Sequence, residues 1–72
     1  MDTGTELAIR AIIRALYNTE AINARQVRGI MSAIKDAAGA ALDRREPETA
    51  KMLASLCKGV HLDTAVTPPE NT

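Results

Sequence analysis

The sequence predicts an all-α fold, a small three-helix bundle with a long central helix that associates as a helical dimer. Three observations predict it. The run from Asn23 to Arg45 contains no proline, and its Val27, Ile30, Met31, Ile34, Ala37, Ala38, Ala41 and Leu42 follow the i, i+3, i+4, i+7 rule. At about 100° per residue these eight fall within an arc of roughly 140°, opposite Arg25, Arg28, Ser32, Lys35, Asp36 and Asp43. At about 1.5 Å per residue such a helix is roughly 35 Å long, so shorter helices or a second copy must lie along it. The apolar share is 46%, with alanine its largest part, one Tyr and neither Phe nor Trp. Small side chains let helices approach closely but each buries little area, so a single copy has a weak core. Finally, 72 residues is one domain at most, with a lone Cys57 and no Cys/His cluster to staple it, which leaves very efficient helix packing or self-association, the latter being the expected support.

Helix 1 is expected from Gly4 to Tyr17. Thr3 and Glu6 have the form of a capping box. Ile9, Ile12, Ile13 and Leu16 make one face, widened by Ala8, Ala11 and Ala15, while Glu6, Arg10 and Arg14 line the other at i, i+4 spacing. Asn18, which tolerates the left-handed conformation, ends it. Helix 2 is expected from Ala24 to Arg45: Asn23 and Gln26 form a capping-box pair, and Ile22 is placed to staple onto Val27. Gly29 and Gly39 each cost about 1 kcal/mol against alanine in a helix interior, and Gly39 is the expected point of a kink or early stop. Arg45-Glu46-Pro47 ends this helix and opens the next. Helix 3 is expected from Pro47 to Lys58, with Ala50, Leu53, Ala54 and Cys57 on one face, Met52 and Leu56 on an adjoining one, and Gly59 as C-cap. Residues 1–60 thus read as a single helical domain and 61–72, closing on Pro68-Pro69, as a mobile tail whose removal from Thr64 onward changes stability by less than about 0.5 kcal/mol.

Nine acids and nine bases give zero formal charge, against a partner chosen by bulk charge. Between Leu7 and Lys35, however, five bases (Arg10, Arg14, Arg25, Arg28, Lys35) stand against one acid, Glu20. No run approaches the roughly 18 apolar residues of a membrane span, and the first residues lack the basic start and apolar core of an export signal. With a single thiol, the chain is expected in the cytoplasm.

Enzyme chemistry fails on inventory. The only histidine, His61, falls in the expected tail, and Cys57 reads as a small buried hydrophobe. Glu6, Glu20, Asp36, Asp43, Glu46 and Glu48 all fall on expected surface or caps, and the four glycines are too scattered for a phosphate loop. No catalytic residue, cofactor or metal site is therefore assigned. The small-residue rows Gly29 with Ala33 and Ala37 with Ala41 suit a helix seam. The function expected is that of a non-enzymatic regulator, adaptor or inhibitor, a homodimer that binds another protein through an apolar helical surface. Ile9, Ile12, Ile13, Leu16, Met52 and Leu56 are the candidate interface. The alternative is a DNA-binding regulator whose contacts are Arg25, Arg28 and Lys35, on the solvent face of helix 2. A solvated face explains that stripe more simply, because the chain is neutral and has no aromatic row for stacking on bases.

Overall fold

In a computed structural model residues 2–69 are described, and they form three α-helices: α1 (Thr3–Asn18), α2 (Ala24–Asp43) and α3 (Pro47–Thr64). There is no strand among the described residues. The start of α2 is as expected: Asn23 Oδ1 accepts from the Gln26 amide and Gln26 Oε1 from the Asn23 amide, both at 2.8 Å. The start of α1 is not. Asp2, one residue before the expected cap, accepts from the Thr5 amide at 2.6 Å, and this bond holds its carboxyl below the usual range. A charged oxygen is the stronger acceptor for a helix N-terminus, so aspartate displaces the Thr3–Glu6 box.

Helices α1 and α2 both end on left-handed non-glycine residues, Glu20 (φ 64°) and Arg45 (φ 59°). The Ala21 amide donates to the Leu16 carbonyl and the Glu20 amide to Tyr17, and the pattern repeats as Glu46 to Ala41 and Arg45 to Leu42. These are two Schellman motifs, in which the bond pattern outweighs the strain of a side chain at positive φ. Asn18 stays helical, and the left-handed position expected of it belongs to Glu20. Helix α2 runs unbroken through Gly39.

The largest departure from expectation is α3. Gly59 lies inside it and is buried, and the helix continues to Thr64, so α2 exceeds it by only two residues. Ala65 then turns left-handed at φ 59°, the Thr64 hydroxyl donates to the Val60 carbonyl and accepts from the Val66 amide, and Val66 enters the core. The expected boundary at Gly59 is thereby corrected, because Val60, Thr64 and Val66 extend the buried face past it. Residues 70–72 of the expected tail lie outside the described residues.

Helix α3, rather than α2, is the central element. It packs against both neighbours, while α1 and α2 meet little. The core joins Ile13 of α1, Val27 and Met31 of α2, and Leu56, Cys57 and Val60 of α3 with Val66, and Ile9, Tyr17, Ile22, Ile30 and Ile34 pack on its margin. The molecule is flattened, 38 × 31 × 15 Å, so much helix surface has no second layer over it.

Candidate interaction surfaces

Arg10 fixes how α1 sits. Its Nε and Nη2 donate to the two carboxylate oxygens of Asp63, each at 2.9 Å, with side chains 27% and 13% exposed. This two-pronged pair raises the Arg10 pKa and lowers that of Asp63, the hydrogen bonds being the main cause in both. The guanidinium crosses α3 at Gly59, where a Cβ would stand 2.5 Å from Arg10 Nε. Glycine there is a notch that leaves room for the guanidinium, not a cap.

The pairing turns the charged row of α1 toward α3. Glu6, expected on the surface, is half-buried there with one carboxylate oxygen shielded from solvent, and Arg14 lies near enough to Asp63 to help lower its pKa. Relative to its apolar residues, α1 is rolled by roughly 60°, taking about 100° per residue. Thr5, Ala8, Ala11, Ile12, Ala15 and Leu16 consequently form an exposed arc of about 140° without a charge, with Ile12 59% and Leu16 40% exposed.

The six residues expected as one interface are therefore divided. Ile13 and Leu56 belong to the core, Ile9 packs on its edge, Met52 is half-buried, and only Ile12 and Leu16 stand clear in solvent. The six thus do not make one exposed surface, and of them only Ile12 and Leu16 are exposed. The basic stripe divides too. Arg25 and Arg28 are exposed, but Lys35 is half-buried and its Nζ donates to the Pro69 carbonyl at 3.1 Å, which corrects its placing on the open face.

A second surface had no sequence signal of its own. Between α2 and α3 runs a groove of about 550 Å³ floored by Ala38, Gly39, Leu42, Ala50, Ala54 and Cys57. Lys35, Lys58, His61 and Pro68 complete its walls. Small residues on both helices at one level create it, and the rows of alanine were legible as close packing rather than as a cleft. His61, expected in solvent, is half-buried here, and its Nδ1 donates to the Val66 carbonyl at 2.6 Å. Cys57 is buried, with Sγ 3.9 Å from the Met31 carbonyl.

Among the described residues no group of three His, Cys, Asp or Glu side chains could hold a metal ion, and no helix is long and apolar enough to cross a membrane. No protein-family model, curated protein or solved structure matches the chain.

Proposed function

We propose that this chain is a small non-enzymatic interaction protein, of the regulator, adaptor or inhibitor type, that binds protein through the outward face of α1. The observation that carries the reading is the roll of that helix: Arg10 turns in to Asp63 while an uncharged arc of Ile12, Leu16 and alanines turns out. A helix that packs only through its solvent-averse stripe hides that stripe, so a bare one is a surface kept for a partner.

The partner this face suits is a second copy. Two such arcs meeting antiparallel across a two-fold axis bring no like charges together, and alanines beside Ile12 and Leu16 give ridges that fit grooves. A domain of this size also gains most from added burial. The DNA-binding alternative draws less support, since of its three cations only Arg25 and Arg28 stand on the open face of α2. Light scattering across a concentration series tests the proposal. The wild-type chain should be dimeric at micromolar concentration, and Ile12→Lys with Leu16→Lys should be a folded monomer, because both side chains are exposed within one copy. A wild-type chain that stays monomeric, or a double variant that associates as well as wild type, would overturn it.

A further inference from the structure

The α2–α3 groove is separate from the α1 face and is polarised along its length. Leu42 and Ala50 lie at the end nearest the helix connection, Ala38, Gly39 and Ala54 lie between, and Lys35 of α2 and Lys58 and His61 of α3 line the far end. Lys35 and Leu42 are seven positions apart and Ala50 and Lys58 eight, so the apolar floor is about 10–12 Å long at about 1.5 Å per residue. No carboxylate lines it among the described residues.

We propose that this groove binds a single-chain anionic amphiphile of the alkyl carboxylate class, with the tail on the alanine floor and the carboxylate between Lys35 and Lys58. Its volume lies within the roughly 300–1,000 Å³ of small-molecule sites, and its make-up is theirs: apolar walls with a few polar groups gathered at one place. An ammonium carries three donors, so Lys35 can keep its bond to Pro69 and still serve a ligand head. A neutral apolar guest brings no charge to pair with either ammonium. A peptide helix, about 10–12 Å across with acids spread along it, meets cations at one end only. The outward arc of a second copy's α1 carries no charge to answer the lysines.

Titration of the full chain with decanoate, kept below the concentration at which it self-associates and followed by backbone amide shifts, tests the proposal. Saturable shifts are expected in residues 35–42 and 50–58 and near Pro68. Lys35→Gln with Lys58→Gln should weaken binding about tenfold, and decylammonium should bind at least about tenfold less well than decanoate. Ala54→Leu, at an exposed position, should weaken decanoate by occupying the floor while leaving the fold intact. Equal binding of decanoate and decylammonium, shifts centred on Ile12 and Leu16, or no saturable shift would each overturn it. None of the three substitutions touches the α1 face, so the oligomeric state read in parallel keeps this result apart from the self-association proposal.

Discussion

The glycines within helices divide by what surrounds them. A Cβ at Gly29 or Gly39 meets nothing within 4 Å, so Gly29→Ala and Gly39→Ala should each stabilise the fold by about 1 kcal/mol, measured by urea denaturation. Gly59→Ala should do the opposite, because the added methyl drives the Arg10 guanidinium off Asp63. In an Arg10→Ala background the same change should become stabilising by about 1 kcal/mol, the ordinary helix preference of alanine. A Gly59 effect of one sign in both backgrounds would show that the notch is not made for arginine. Asp63 gives the pH counterpart. Its folded pKa is lowered below the ordinary 3.8, so its contribution is present above that value and lost as pH falls through the folded one. Acid unfolding should therefore steepen below about pH 4, and Asp63→Asn should flatten that limb, leaving the part due to Asp2.

At the level of elements, what is local is legible and what is tertiary is not. The Asn23–Gln26 box, the start of α3 at Pro47 and the period of α2 all depend on neighbours within a few residues, and the sequence carries them. Gly59 looks like a C-cap because a glycine after an apolar run usually is one. Its true reason, Arg10, stands 49 positions away. Likewise the ends of α1 and α2 are set by Schellman bonding that places Glu20 and Arg45 at positive φ. Glycine at either site relieves about 1–2 kcal/mol of strain against about 0.5–1 kcal/mol of extra chain entropy. Glu20→Gly and Arg45→Gly should each raise stability by roughly 0.5–1 kcal/mol, visible as a higher urea midpoint with unchanged slope. The turn after α3 calls for the reverse outcome. Val66 is 5% exposed, so Val66→Ala should cost about 2 kcal/mol, where a residue of a detached tail would cost almost nothing.

For the molecule as a whole, the roll of α1 decides what the outside of the protein is. Ile12 and Leu16 are apolar in the sequence, but which way they face follows from contacts far along the chain, the packing of Ile13 on the core and the pairing of Arg10 with Asp63, 53 positions away. Those contacts also rank the parts by how firmly they are held. Helices α2 and α3 are joined by three residues and pack along their length, whereas α1 reaches the rest chiefly through α3. Contacts close in sequence form sooner than distant ones, so the α2–α3 hairpin is expected to form first and the docking of α1 on α3 last. Native-state hydrogen exchange should then show the amides of α1 opening together at a lower free energy than those around Met31 and Leu56. A helix that lets go as a unit while its hairpin stays folded can also settle on a neighbour's hairpin. At high protein concentration the chain should accordingly populate strand-free swapped dimers, in which Arg10 of one copy finds Asp63 of the other.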